Sequence, residues 1–391
     1  MIETLSILLV VSAAFITCGL FLYGAWGAIR ESAKKAWNRL FGTDGHFPLT
    51  FGRAHQNPIL PRGSNAWEAD AVINPAAIHD GEYTHLFYRA IGTDGVSRIG
   101  YALSKDGVNI DERLPYPVFA LANTDAGVMG LRQHMLSRFA GLVASGGSWS
   151  GCEDPRAVLI DGRIYLTFSA FNGWHSLRIG MVSIALPDVR QKRWNWSAPT
   201  FLSAPNQVHK NWVLFPEKIN GKYAVLHSVS PEIDIAYVDD LHAIGKTAPF
   251  IQSEMGARMS GNKSGWETRV RGSGPPPIRT SFGWLVLYHA HDAKDPDHYK
   301  LGAMLLDLND PTKVLSRSFL PVLAPEAEYE RSGAKPGIVY ACGATVVKDI
   351  LTVYYGAADS VVCVAATSFS GFVEKMRAAM HPVPALAHAT L

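Results

Sequence analysis

The sequence predicts an all-β chain: a five-bladed β-propeller preceded by an N-terminal transmembrane helix. Three observations carry this reading. A unit of apolar strand, tight turn, aromatic-rich strand and third apolar strand recurs five times between residues 70 and 370. The composition, with 10 Trp, 14 Tyr, 35 Gly and 23 Pro in 391 residues, favours short strands and turns over long helices. Residues 6–26 (SILLVVSAAFITCGLFLYGAW) carry no charge, and a helix needs about 20 apolar residues to cross a bilayer.

The N-terminal run comes first. Tyr23 and Trp26 stand at one end of it, where aromatic rings favour the membrane interface. A cleaved signal peptide would want basic residues ahead of a shorter apolar core, but Glu3 is the only charge before the run. Arg30, Lys34, Lys35 and Arg39 follow it, so the positive-inside rule places a single-pass, membrane-anchored protein with its body in the cytoplasm. Residues 27–42 read either as a juxtamembrane amphipathic helix on anionic lipid or as a solvated linker. The expected domains are an anchor over 1–46, a propeller over 47–372 and a tail over 373–391 that starts as a short helix.

The repeated units follow in order: VINPAAIHDGEYTHLFYRA, EDPRAVLIDGRIYLTFSAF, WVLFPEKINGKYAVLHSVS, GPPPIRTSFGWLVLYHAH and GIVYACGATVVKDILTVYYGAAD. Their turns at Gly81, Gly162, Gly221, Gly283 and Lys348-Asp349 recur roughly every 60–80 residues. Alternating β-branched and aromatic residues between turn signals mark antiparallel strands, and a repeated unit of three to four such strands is a propeller blade. Residues 107–150 and 241–270 interrupt the pattern and read as long loops, where binding specificity usually resides.

The innermost strand of each blade lines the central channel, and these strands carry the unexpected polar residues. They are Asn74, Glu153 with Asp154 and Arg156, Lys210 with Asn211, Arg269 with Arg271, and Tyr340; the end of the fifth unit adds Asp359. Charges beside the apolar run 157–160 are costly unless paired or used. Pro155 holds Asp154 extended and fixes where its carboxylate points. A net charge of +2 gives no case for nucleic-acid binding. Cys18, Cys152, Cys342 and Cys363 lie too far apart for a disulfide framework or metal-type spacing, so no metal site is expected.

The ordered segments NPAAI with YRA, GCEDPR, KNWVLFPEKINGKY, GSGPPPIRTSFGWLVLYH and YYGAAD resemble the motifs of glycoside hydrolase family 130 over about residues 55–370. The resemblance implies a five-bladed propeller that cleaves β-mannosides with inversion, by phosphorolysis or hydrolysis, with no cofactor beyond inorganic phosphate as co-substrate. Asp154 matches the family's general acid, and a carboxyl in a channel near another acid can keep its proton near neutral pH. Asn74, Arg89 and Asp359 match the positions that hold the mannosyl unit. Arg156 can hold a carboxylate or a sugar hydroxyl, and Tyr288 can stack on a sugar face or pack within its blade.

The nucleophile is divided between two readings. The first of the family's phosphate-binding positions maps onto Lys210 and the last onto His289. The second falls on Ser228 and the third on Val270, flanked by Arg269 and Arg271. Two missing charge-assisted contacts should weaken phosphate binding by a few kcal/mol, at roughly 1.5–3 each. Water would then attack, activated by Glu232, near the lost arginine, with Glu267, near the lost lysine, as its helper. The expected activity is therefore an inverting β-mannoside hydrolase acting on β-1,2- or β-1,4-linked manno-oligosaccharides. The alternatives are a phosphorylase using Lys210, His289 and a repositioned Arg269 or Arg271, a membrane-facing mannosyltransferase, and a non-catalytic carbohydrate-binding propeller.

Overall fold

The computed structural model of the chain describes residues 49–121, 147–148, 150–171, 177–253 and 265–378. After β1 (Gly52–Arg53), the first blade is β2 (Ala71–His79), β3 (Thr84–Ile91), β4 (Val96–Ser104) and β5 (Glu112–Arg113). The second is β6 (Ser150–Ile160), β7 (Arg163–Phe171), β8 (Leu177–Ala185) and β9 (Thr200–Phe201), with helix α1 (Leu186–Arg190) between β8 and β9. The third is β10 (Val213–Leu214), β11 (Tyr223–Val229) and β12 (Ile233–Val238). The fourth is β13 (Arg269–Ser273), β14 (Ile278–Arg279), β15 (Trp284–Asp292), β16 (Asp295–Leu306) and β17 (Val314–Arg317). Helix α2 (Glu328–Arg331) leads to the fifth, β18 (Val339–Val347), β19 (Ile350–Ala357) and β20 (Val361–Ser368), and helix α3 (Phe369–Ala378) follows.

Neighbouring strands within each blade pair antiparallel. A short parallel contact of Val96 with Ser150 and Ser97 with Gly151 joins the first two blades into one sheet. The ring is closed by β1, which pairs with β20 as the outer strand of the fifth blade. Because side chains alternate along a strand, each blade has two apolar faces. Leu351, Val353 and Tyr355 of β19 pack on the fourth blade, while Tyr354 packs on the first. Among the described residues the five largest core clusters each fill one interface between consecutive blades.

Three blades share a buried clamp. In the first, the Tyr88 hydroxyl donates to Glu68 Oε2 at 2.9 Å, and Arg113 Nη2 donates to the same oxygen at 2.6 Å. In the fourth, Tyr288 donates to Glu267, and Arg317 Nε donates to the Tyr288 hydroxyl at 3.1 Å. Trp67 stacks on Tyr88 and Trp266 on Tyr288, both at 6.3 Å. In the fifth, Tyr355 donates to Glu330 at 2.8 Å, and Arg53 of β1 bonds both oxygens of that carboxylate at 2.8 Å. In each case the segment leading to the inner strand supplies Glu, the second strand Tyr and the outer strand Arg.

The expected transmembrane helix, and the membrane-anchored, cytoplasm-facing placement drawn from it, are corrected. Among the described residues no helix is long and apolar enough to cross a membrane. The longest, α3, has 10 residues, which gives about 15 Å against a hydrocarbon core of about 30 Å. Phe372, Val373 and Met376 bury one face of α3, and Phe372 and Met376 join the core between the fourth and fifth blades. The apolar run 6–26 and the stretch 27–42 lie outside the described residues, as do 379–391 of the expected tail.

Candidate active site

Asn74 and Asp154 occupy equivalent places in the first two blades. Each lies on an inner strand, each precedes a proline, and each has φ 49°, so Asp154 is not in the extended conformation expected ahead of Pro155. Such left-handed backbone is open to short polar side chains such as Asn and Asp. At each the ladder slips, so that Asn74-Pro75 and Asp154-Pro155 fall opposite a single residue of the next strand. A bulge of this kind re-aims a side chain out of the regular alternation. Asn74 Nδ2 consequently reaches across to donate to Asp154 Oδ1 at 2.7 Å. Gly356 of β19 makes room for this pair, since a Cβ there would lie 2.0 Å from Asn74 Oδ1.

Arg89 of β3 is the hub behind them. It is 1% exposed and donates to Asp154 Oδ1 at 3.1 Å, Glu153 Oε1 at 3.1 Å, Ser148 Oγ at 3.0 Å and Ser97 Oγ at 2.9 Å. Lys210 Nζ lies 3.6 Å from Glu153 Oε2. Burial pushes the Asp154 carboxyl up, but the charges of Arg89, Lys210 and Arg156 and the bond from Asn74 outweigh it and bring its pKa to about 2. The expectation that Asp154 keeps its proton is thus reversed among the protein's own groups, because cations rather than other acids dominate its surroundings. Asp359 sits with φ 49° in the turn between β19 and β20. Burial raises its pKa against the pull of Lys335, 3.3 Å away, and Arg89.

Arg156 is committed to the scaffold. It donates to the carbonyls of Gly274 at 3.0 Å and Asp154 at 2.8 Å, and to Asn211 Oδ1 at 2.8 Å. Asn211 also accepts from the Tyr340 hydroxyl at 2.6 Å. His289 is fully buried, stacks on Tyr340 with ring centroids 4.0 Å apart, and accepts at Nε2 from the Ala341 N–H at 2.9 Å. Its proton therefore sits on Nδ1. Burial first, then Arg156 and Arg271, lower its pKa to about 3, so it is a neutral donor. Asn74 Oδ1, Glu153 Oε2 and His289 Nδ1 are buried atoms without a hydrogen-bond partner among the described residues. Buried polar atoms are normally bonded, and an acceptor-and-donor set of this kind suits a polyol beside an oxyanion.

The other expected site residues are placed elsewhere. Tyr288 and Glu267 are both buried and are spent on each other in the fourth-blade clamp. Glu232 is exposed in the turn between β11 and β12, where its carbonyl accepts from Ser228 Oγ at 3.1 Å. Arg269 is exposed, and Val270 is packed into the core between the third and fourth blades. The ladder slips between Val270 and Gly272, so Arg271 stands at a bulge opposite the His289 region. Glu153 and Lys335 were not among the expected site residues. Glu153 could have been found from its place in GCEDPR, whereas Lys335 lies in a connection without any motif. Among the described residues no cluster of His, Cys, Asp and Glu could hold a metal ion.

Comparisons with known proteins identify the family to which this fold belongs. The family described as beta-1,4-mannooligosaccharide phosphorylase, glycoside hydrolase family 130, matches residues 53–378. The chain is 39% identical over 324 residues to the 1,2-beta-oligomannan phosphorylase of Thermoanaerobacter sp. (strain X514), covering 80% of this chain and 95% of that one. It is 38% identical to the beta-1,2-mannobiose phosphorylase of the same organism, covering 82% and 97%. The solved beta-1,2-mannobiose phosphorylase of Listeria innocua, at 24% identity, shares the fold with a TM-score of 0.62 over 84% of this chain and 99% of that chain. Inner strands that carry GCEDPR and its partner asparagine, a matched span of nearly the whole described region and relatives well above 30% identity lead to one conclusion: the chain is an enzyme of glycoside hydrolase family 130, the mannoside phosphorylase family.

Proposed function

We propose that the enzyme is an inverting β-mannoside phosphorylase that takes β-1,2-linked manno-oligosaccharides and releases α-mannose 1-phosphate. The observation that carries this is the donor set of Lys210, Arg271 and the orphaned His289 Nδ1–H near Asp154. It suits an oxyanion, and water has no need of it. Neither carboxylate considered as a base supports hydrolysis, because Glu267 is spent on Tyr288 and Glu232 is exposed on a turn. The linkage follows the two most similar relatives reported above, both named for β-1,2-linked substrates.

In this reading Asn74, Arg89 and Asp359 hold the terminal mannosyl unit by paired hydrogen bonds to its hydroxyls. Phosphate oxygen attacks the anomeric carbon from the face opposite the leaving group; the C1–O bond to the next sugar breaks as the C1–O–P bond forms. Asp154 delivers the proton that the departing oxygen takes, directly or through a sugar hydroxyl. A phosphate dianion among Lys210 and Arg271 offsets the cations that hold Asp154 ionised, and so raises its pKa towards that of a donor. Binding of the nucleophile thereby arms the acid.

The test is product analysis of the full chain on β-1,2- and β-1,4-mannobiose, with and without phosphate. Mannose 1-phosphate formed only with phosphate is expected. Free mannose released at the same rate without phosphate would refute the phosphorylase reading and favour the hydrolase, for which Ser228 and Val270 stand where cations would be needed.

A further inference from the structure

The family pattern puts a lysine where this chain has Val270, and Val270 is 2% exposed in a core cluster. Arg271 can replace it only if the long side chain is held towards His289. Its backbone is fixed first. The bulge between Val270 and Gly272 gives Arg271 an extra position in the strand, and its carbonyl accepts from Asn211 Nδ2 at 2.9 Å. Its side chain lies against Tyr299 of β16, with Cζ 5.2 Å from the ring centroid, and its charge pulls down the pKa of the Tyr299 hydroxyl that burial raises.

Tyr299 is itself held firmly. Its ring stacks on His291 at 5.2 Å and 7° between planes. Its backbone bridges to Ile338, ahead of the fifth blade's inner strand, and it packs against the Ile338, Tyr340 and Cys342 cluster. Tyr340 holds His289 by stacking at 4.0 Å in the same way. Two tyrosines from the junction of the fourth and fifth blades thus flank His289 and Arg271, the latter standing next to the missing cation at Val270.

We propose that Tyr299 is a positioning residue that holds the Arg271 guanidinium towards the phosphate pocket beside His289. The inference rests on the phosphorylase reading. Tyr299 acts through Arg271, by the flat face of its ring and by the hydroxyl whose electrostatics the guanidinium feels. An arginine left without that support spreads over more rotamers, and phosphate binding then carries the cost of ordering it.

The experiment is a kinetic double-mutant cycle on the full chain with β-1,2-mannobiose and inorganic phosphate, using wild type, Tyr299→Phe, Arg271→Met and the double variant. Tyr299→Phe keeps the ring and its stacking, so the fold is retained. It should raise KM for phosphate about 3- to 10-fold, the effect of taking one polar group from beside a charged side chain, and leave KM for mannobiose unchanged. In the Arg271→Met background the same change should add nothing. Equal rises in both KM values, or the same effect in both backgrounds, would overturn the positioning role. A wild-type enzyme indifferent to phosphate would instead overturn the phosphorylase reading, and this inference with it.

Discussion

Replacing Asp154 by Asn separates the proton from the packing. Asn is nearly the same shape, and its Oδ1 can still accept from Asn74 and Arg89, which now reach Asp154 at 2.7 and 3.1 Å. It cannot donate the proton that the departing sugar oxygen needs, and general acid catalysis contributes about 10²–10⁴-fold. Turnover of β-1,2-mannobiose should fall by that factor with little change in KM. An aryl β-mannoside with an acidic leaving group needs no such proton and should lose much less. The substitution also removes a carboxylate whose pKa falls on folding from 3.8 to about 2. A depressed pKa stabilises the folded state above the unfolded value, by about 2 kcal/mol here at 1.36 kcal/mol per pH unit. That contribution is present above about pH 4 and is lost as the pH falls towards 2. Urea titrations at pH 7 should find the variant less stable, with the difference shrinking below pH 4. Equal losses of turnover on the natural and activated substrates would refute the acid assignment.

Arg53→Met should leave Glu330 buried without its cation and cost about 3–5 kcal/mol in urea unfolding, with part of the loss recovered in Arg53→Met/Glu330→Met. A loss below about 1 kcal/mol would mean that β1 closes the ring by backbone pairing alone. Gly356→Ala should drive a methyl into Asn74 Oδ1, at 2.0 Å; steady-state kinetics should show KM for the mannoside rising far more than KM for phosphate. Glu267→Gln keeps an oxygen that can accept from Tyr288 but removes the charge that pairs with Arg317, so it should lower the unfolding midpoint by the equivalent of about 1–3 kcal/mol, while its loss of kcat stays far below that of Asp154→Asn.

Much of this architecture was legible because it repeats. Period-two apolar alternation and turns at Gly81, Gly162, Gly221 and Gly283 identify blades without any tertiary information. Asn74, Arg89 and Asp154 stood out for a related reason: each lies in a short contiguous motif, although the left-handed backbone and bulge that aim the first and third run against the extended conformation that a following proline favours. Arg271 was harder, because strict alternation along β13 cannot decide between it and Arg269 until the slip at Val270 is known. Glu267 and Tyr288 read as site residues because their clamp joins segments far apart in the chain. The repeated Trp-Glu at 67–68 and 266–267 was the one local sign that they belong to a blade-building device. Closure by β1 left no sign at all, since Gly52–Arg53 is too short to carry a pattern.

The bulges also explain how one repeated strand supports unequal chemistry. The apolar alternation of each inner strand is committed to the interfaces between blades, so its regular positions cannot vary freely. A slipped residue escapes that constraint. The slips place Asn74, Asp154, Arg271 and Cys342 in four of the blades, and Asn211, with φ 64°, takes the corresponding role just ahead of β10. An amide, a carboxylate, a guanidinium and a thiol can then differ while the cores around them remain alike. The electrostatic outcome is a site in which Arg89, Arg156, Lys210, Arg271 and Lys335 accompany Glu153, Asp154 and Asp359, five cations to three carboxylates. Such a surplus favours the ionised form of Asp154. On the proposed phosphorylase reading, it would tie proton donation to the arrival of the anionic nucleophile.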